Sequence, residues 1–466
     1  VGVIDTGIDY NHEDIAANIW TNNAELNGLP GKDDDGNGYI DDIRGWDFSG
    51  NDYTDNPSLI KSDNNPMDYY GHGAHVAGTI AAIGNNSKGI IGVAPKSKVM
   101  AVKMFPNAYM DIAVKSMKYA VDNGAKILNC SWGPSGRTTS IPILQEMIDF
   151  VHSSGCLPIF AAGNNSDDVV YYFPAGYSKI ITVSATDHND QWAMYSNGGF
   201  GIDVSAPGGD DYAASDSKRT YDNILSLRAS GTDGYGDGIN IVNDRYYRAR
   251  GTSMACPHVA GVAALIKAKN PSFGPEDIRR VLYISADDKN KEGFDILYGF
   301  GRVNAYKALR ADSLSYLCAR IRKPVSNTQF GRLVQISGTV LASNFSRYAI
   351  EAGQGRQPSS WTTRGISITN NGNSQITEGI LGRWDSSSFA DGTYSIRLRV
   401  FNSSGIFREM MIPVIVNNLI EIGWPQRMDM GASDIGLGSP VLADIDNDGD
   451  LEVMASSWDG QLWVWH

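Results

Sequence analysis

From Val1 to about Leu309, short apolar, β-branched runs alternate with stretches in which apolar residues recur every three to four positions. The runs Val1–Ile4, Val99–Val102, Lys126–Asn129, Leu157–Ala161 and Ile180–Val183 predict strands, and Met110–Asn123, Ile141–Ser153 and Met254–Lys269 predict helices. Strands that alternate with helices predict an α/β domain built on a parallel sheet. After Arg310 the period changes. In Tyr394-Ser395-Ile396-Arg397-Leu398-Arg399-Val400 every second residue is apolar, the pattern of a strand with one face on a core. Val334, Ile336, Val340, Trp361 and Trp384 supply a facing layer, which predicts a β-sandwich of about 100 residues. From Gly423 a third pattern begins, with short strands around an acidic loop. The expected division is 1–310 for the α/β domain, 311–320 for a linker, 321–418 for the sandwich and 419–466 for a truncated repeat.

Composition removes whole classes. No apolar run approaches the ~18 residues of a membrane span. Against 52 Asp and Glu there are 39 Lys and Arg, for a formal charge of −13, and no basic stripe stands out, so nucleic acid is not expected as a partner. Four scattered cysteines, Cys130, Cys156, Cys256 and Cys318, are too few for a disulfide scaffold and predict buried thiols. The first residues are a strand run, with neither an initiator Met nor a signal-peptide layout, which reads as a processed or truncated piece.

Three Gly-rich segments place reactive side chains where α/β folds keep their sites, at strand ends and helix starts. They are Val3-Ile4-Asp5-Thr6-Gly7, Gly71-His72-Gly73-Ala74-His75 and Gly251-Thr252-Ser253-Met254-Ala255. A Ser hydroxyl is a weak nucleophile until an imidazole takes its proton, and a carboxylate fixes the imidazole's tautomer and stabilises its cation. His75 and His258 sit a turn or more into their helices and are expected to pack or hydrogen-bond instead.

At these residues the chain resembles the subtilisin-like serine proteases, the subtilases, whose order is Asp, His, Ser. The resemblance covers about Val1 to Leu309. It implies a three-layer subtilisin-like fold with a mainly parallel sheet; the later pattern adds an Ig-like all-β sandwich and, from the acidic loop, a partial β-propeller blade. It implies Asp5 as the orienting acid, His72 as the general base, Ser253 as the nucleophile and Asn164, in Phe160-Ala161-Ala162-Gly163-Asn164, as oxyanion donor beside the Ser253 N–H. Ser131, Trp132 and Gly133, with Ala161, Ala162 and Gly163, would wall the pocket for the residue preceding the scissile bond (P1). Tyr172, just before Phe173-Pro174, would stand at its floor and disfavour large aromatic side chains. Lys103 to Tyr109 runs directly into a helix where relatives carry a longer Gly/Ser-rich substrate-binding strand, and 208–250 reads as an insertion.

Structural calcium is expected at three places, and no organic cofactor. Asp33, Asp35, Asn37 and Asp41 space oxygen ligands around a Gly turn, without the glutamate of an EF-hand at the twelfth position. Asp444, Asp446, Asp448 and Glu452 follow the same logic and look like the calcium loop of an FG-GAP or integrin-type blade. Asp14 and Asn86 match the family's strong calcium site. The acidic segments 33–42 and 444–452 hold five acids each, so the negative charge is concentrated there. The implied protein is an extracellular or cell-surface bacterial endopeptidase acting on proteins or peptides. A propeptide or protein inhibitor is a further expected partner, and the β modules would serve in docking. A silent adhesion scaffold would lack a member of the catalytic set. A peptide ligase using the same acyl-enzyme remains an alternative.

Overall fold

The computed structural model describes residues 1–209, 222–233, 238–311, 315–420 and, beyond these, three strands at 441–443, 452–456 and 462–465. The N-terminal part holds a parallel seven-stranded sheet of order β2-β3-β1-β4-β5-β6-β7. Its strands are β1 (Gly2–Asp5), β2 (Gly45–Asp47), β3 (Met100–Lys103), β4 (Ile127–Cys130), β5 (Leu157–Ala161), β6 (Ile181–Thr186) and β7 (Val204–Pro207). The helices are the one-turn α1 (Asn23–Leu26), then α2 (His72–Ala81), α3 (Met110–Asp122), α4 (Pro142–Ser153), α5 (Thr252–Lys269), α6 (Pro275–Ser285) and the short α7 (Ala305–Ala308).

Strand alternation sorts the two layers. Val3, Ala101, Ile127, Ile159 and Val183 face α2 and α5, while Ile4, Val102, Leu128 and Phe160 face α3 and α4. Strands buried on both faces require near-continuous apolar sequence, which is why these runs were legible. α3 buries Ile112, Ala113, Ser116, Met117, Tyr119 and Ala120, one stripe of a 3.6-residue period, and pairs Asp111 with Lys115 and Lys118 with Asp122 on its exposed side. α5 is buried along most of its length, so it runs through the layer as its axis. The 208–250 insertion contributes a small antiparallel sheet, β8 (Ile224–Leu227), β9 (Ile241–Val242) and β10 (Tyr246–Ala249), in the order β8-β10-β9.

The C-terminal β module has two four-stranded sheets. One is β11 (Leu317–Lys323), β13 (Leu333–Ala342), β16 (Ile376–Asp385) and β15 (Ile366–Ile368). The other is β12 (Gln329–Phe330), β18 (Phe407–Val416), β17 (Gly392–Asn402) and β14 (Phe345–Gln354). Ile336, Val340 and Trp384 of the first share one apolar cluster with Tyr348, Ile396 and Leu398 of the second. Trp361 lies outside that cluster, under the Arg397 guanidinium at 4.1 Å, because its ring is better used covering a cation at the module's edge. The expected linker is also shorter: β11 begins at Leu317, and Cys318 and Leu341 join the core of the α/β domain. β19 (Val441–Ala443), β20 (Glu452–Ser456) and β21 (Leu462–Trp465) form an antiparallel meander. Asp444, Asp446 and Asp448 lie outside the described residues, and Glu452 opens β20 opposite Ala443.

Candidate active site

Asp5 ends β1, His72 opens α2, and Ser253 lies in the first turn of α5; these two helices pack together over the sheet. The Asp5 carboxylate, 1% exposed, accepts from the Thr6 N–H at 2.8 Å and lies 2.7 Å from His72 Nδ1. Burial pushes the imidazole's pKa down, but Asp5, by charge and hydrogen bond, and Asp68 outweigh it, so His72 ends above the ordinary histidine value.

Asp68 is a member of this centre that the sequence reading passed over. Its carboxylate accepts from the Thr6 hydroxyl at 3.0 Å and from the Tyr70, Gly71 and Ala74 N–H groups, each at 2.8 Å. It therefore caps α2 and ties that helix to the loop after Asp5. Burial raises its pKa to about 6 against those hydrogen bonds. The signal available was an acid four residues before His72, at the approach to a helix.

The Ser253 hydroxyl donates to the Ser131 carbonyl at 3.0 Å and not to His72. Asn164 Oδ1 accepts from the Thr252 N–H at 2.8 Å and its hydroxyl at 2.9 Å, which leaves Nδ2 as the outward donor. Among the described residues nothing accepts from Asn164 Nδ2 or from the Ser253 N–H, one of the donors a helix start leaves open. A Cβ on Gly251 would lie 3.2 Å from Asn164 Nδ2 and 3.7 Å from Ser253 N, and with φ at +140° this position needs glycine. Two unpaired donors thus flank the nucleophile, the arrangement that stabilises a developing oxyanion.

Three cavities meet here. One of about 270 Å³ lies between the backbone edges 131–135 and 161–165, reaches Asn164 and Ser253, and is closed by Tyr172 and Ala175. All seven residues expected to wall the P1 pocket line it. The Tyr172 hydroxyl is tied to Asp167 at 3.0 Å, so its ring is fixed. A second, of about 450 Å³, runs from His72 past Trp132 to Phe105, Pro106 and Tyr69, using the segment after Lys103 as a wall. A third, of about 230 Å³, lies on the far side of Ser253 and is lined by Tyr247, Ala249 and Arg250 of the insertion. His75 instead anchors that insertion: its Nε2 meets the carbonyls of Ile224 and Tyr247 at 2.9 and 3.1 Å, and burial lowers its pKa to about 3. His258 Nδ1 bonds the Met254 carbonyl within α5.

Of the residues expected to hold metal, Asp33 and Asp35 come together, but with Glu25 and not Asp41; oxygens of the three carboxylates lie within 4.8 Å of one another. Glu25, 3% exposed, accepts from the N–H groups of Asp34, Asp35 and Asp41. Asp41 instead accepts from Gly31 N at 2.8 Å, and Asn37 donates its amide to Asp35 and Asp42. Asp14 and Asn86 also meet: the buried carboxylate accepts from Asn86 at 2.5 Å, Ile90 N at 3.1 Å and the Tyr246 hydroxyl at 3.2 Å.

A profile described as "Subtilase family" matches residues 1–301. The chain belongs to the subtilase family. It is 32% identical over 313 residues to Thermitase of Thermoactinomyces vulgaris, covering 66% of this chain and 88% of that one. It is 33% identical over 313 residues to "Thermophilic serine proteinase" of a Bacillus species (strain AK1), covering 66% of this chain and 61% of the relative's length. Among solved structures, a protease from Pseudoalteromonas arctica superposes with a TM-score of 0.53 at 28% identity, over 67% of this chain and 89% of that one. As a subtilase the chain is a serine endopeptidase. The matched region ends before the β module.

Proposed function

We propose that this subtilase is a secreted, calcium-stabilised endopeptidase that cleaves internal peptide bonds of proteins through an acyl-enzyme on Ser253. The observation that carries the reading is the Asp5–His72 pair at 2.7 Å beside a serine flanked by two unpaired donors. Ser253 Oγ turns from the Ser131 carbonyl to His72 Nε2, gives up its proton and attacks the scissile carbonyl. Asn164 Nδ2 and Ser253 N–H receive the oxyanion; Asp5 holds the imidazolium, which then protonates the leaving amine. Water, activated by the same imidazole, hydrolyses the ester. The 270 Å³ cavity takes the P1 side chain, and the 450 Å³ cavity takes side chains further along the acyl side. The test is labelling with a fluorophosphonate and cleavage of a denatured protein: both are expected in the parent chain and absent in Ser253→Ala.

For calcium, the Glu25, Asp33 and Asp35 donor set is all oxygen, carries three charges and is folded inward by backbone N–H groups, which suits a hard cation. Bound there, calcium would supply stability and no chemistry. Asp14 and Asn86 form a second candidate; the Asn86 amide, which donates to Asp14, would have to flip to offer its oxygen to a cation. The C-terminal module reads as an Ig-like sandwich over about 317–418, followed by one FG-GAP-type repeat with its own acidic loop. Docking to a cell surface or substrate is the role proposed for that last repeat. No helix among the described residues is long and apolar enough to cross a membrane.

A further inference from the structure

We propose that Arg320 and Arg322, on the first strand of the β module, are positioning residues for the P1 pocket: the module builds the back wall of the specificity site. Both guanidiniums cross the boundary and seize main-chain carbonyls of the α/β domain. Arg320 Nη2 donates to the carbonyls of Phe200 at 2.6 Å and Ile202 at 3.0 Å, and Arg322 Nη2 donates to the carbonyl of Gly176.

Gly176 directly follows Ala175, which closes the pocket with Tyr172. Ile202 packs in one apolar cluster with Ala162, Val169, Tyr172 and Ala175. The two gripped segments also touch: a Cβ on Gly201 would lie 2.6 Å from the Gly176 Cα, so the backbones pack with nothing between them. From the sheet side, Gly176 N–H donates to the Thr182 hydroxyl at 2.8 Å. The wall is therefore clamped between β6 and two arginines of another module.

The grip is braced. Arg320 Nη1 donates to Asp203 at 2.7 Å and Arg322 Nη1 to Glu378 at 2.6 Å, while Asp203 also receives the Thr182 N–H at 2.7 Å. Arg279 of α6 holds the Ile180 carbonyl at 2.9 Å and pairs with Glu276 at 3.1 Å. Three guanidiniums thus meet two buried carboxylates, Asp203 and Glu378, with Glu276 at the solvent edge, and the planar fork of Arg320 and of Arg322 spans one carboxylate and the main-chain carbonyls, which fixes geometry as well as charge. Burial would raise the pKa of Glu378, but Arg322, Arg320 and Arg279 together hold it below the ordinary glutamate value. A wall set in this way matters to selectivity because pocket shape decides between side chains, each methylene fitted or rejected being worth about 10–200-fold in discrimination.

The proposal rests on the 270 Å³ cavity being the P1 pocket, so its test carries a control for that assignment. Peptide anilides differing only at P1 (Ala, Leu or Phe) are assayed with the full chain. Fluorophosphonate titration gives the concentration of active sites. Arg322→Lys keeps a charge beside Glu378 but loses the second arm to Gly176. It is expected to shift the Phe-to-Ala ratio of kcat/KM about tenfold, mainly through KM, with kcat per titrated site on the Ala substrate retained. Should it not fold, Arg322→Met/Glu378→Met removes both buried charges and is read in the same way. Tyr172→Ala must also move the ratio. If it does and the Arg322 variants stay within about twofold of the parent, the positioning role is overturned; if Tyr172→Ala leaves the ratio unmoved, the pocket assignment fails and the proposal with it. Arg408→Gln cuts a surface link between the module and Asp288 and Glu292 without touching the wall. It is expected to leave the ratio unchanged, and an equal shift there would overturn the specific grip.

Discussion

Ser131 and Ser253 exchange hydrogen bonds: the Ser131 hydroxyl donates to the Ser253 carbonyl at 2.9 Å, and the Ser253 hydroxyl donates to the Ser131 carbonyl at 3.0 Å. In a regular helix the Ser253 carbonyl would accept from the residue four positions on. That residue is Pro257, which has no N–H. The proline frees a part-buried carbonyl, and the serine beside the nucleophile donates to it. Ser131→Ala is therefore expected to lower kcat about tenfold, since orphaning such a group costs about 1–3 kcal/mol and loosens the start of α5. Steady-state kinetics with active-site titration checks this; an unchanged kcat would mean that the exchange is dispensable.

Because Asp5 and Asp68 hold the imidazole's pKa above the ordinary value, the acid limb of kcat/KM is expected above it, activity rising as His72 loses its proton. Asp5→Asn should reduce kcat by about 10⁴ and move the limb to lower pH, because burial then acts with less opposition. The same shift stabilises the fold below the unfolded-state pKa of His72, and that contribution is lost as pH rises through the folded-state value. A pH–rate profile of both proteins is the measurement.

Asn164→Asp keeps the oxygen that accepts from Thr252 and removes the outward donor. It is expected to lower kcat by about 10²–10³, a magnitude measured on a subtilisin, with the melting temperature little changed. Loss of stability without the kinetic loss would make Asn164 a brace for α5 and not a donor to the reaction.

If calcium occupies the Glu25, Asp33 and Asp35 site, saturation about 100-fold above Kd contributes about 2.7 kcal/mol, a rise of several degrees in Tm over a chelated sample. Glu25→Gln should shrink that difference by more than half. Autolysis followed by gel in chelator is expected to accelerate in parallel. Equal melting curves with and without chelator in the parent chain would remove calcium from this loop.

The main strands and helices of the α/β domain were legible to within a few residues, because a strand buried on both faces and a helix with one apolar stripe each write their period into the sequence. The residues at the centre were legible for another reason: the Gly-rich turns that place Asp5, His72 and Ser253 are contiguous with them. What was missed depends on contacts that no local period encodes. Glu25 reaches the acidic loop from a one-turn helix that precedes it, so ligand spacing pointed to Asp41 instead. Asp68 looked like one more acid in a polar loop. Arg320 reads from the sequence as an ordinary arginine at the edge of a linker, although it contacts carbonyls 118 and 120 positions away.

The arginine clamp has a consequence for how such an enzyme diversifies. A guanidinium that binds carbonyl oxygens is blind to side-chain identity, since every residue type offers the same oxygen. Tyr172 and Ala175 can therefore be exchanged without unfastening the wall that bears them. Specificity becomes a replaceable lining on a fixed mount, and that mount belongs to a module lying beyond residues 1–301, which the family profile matches.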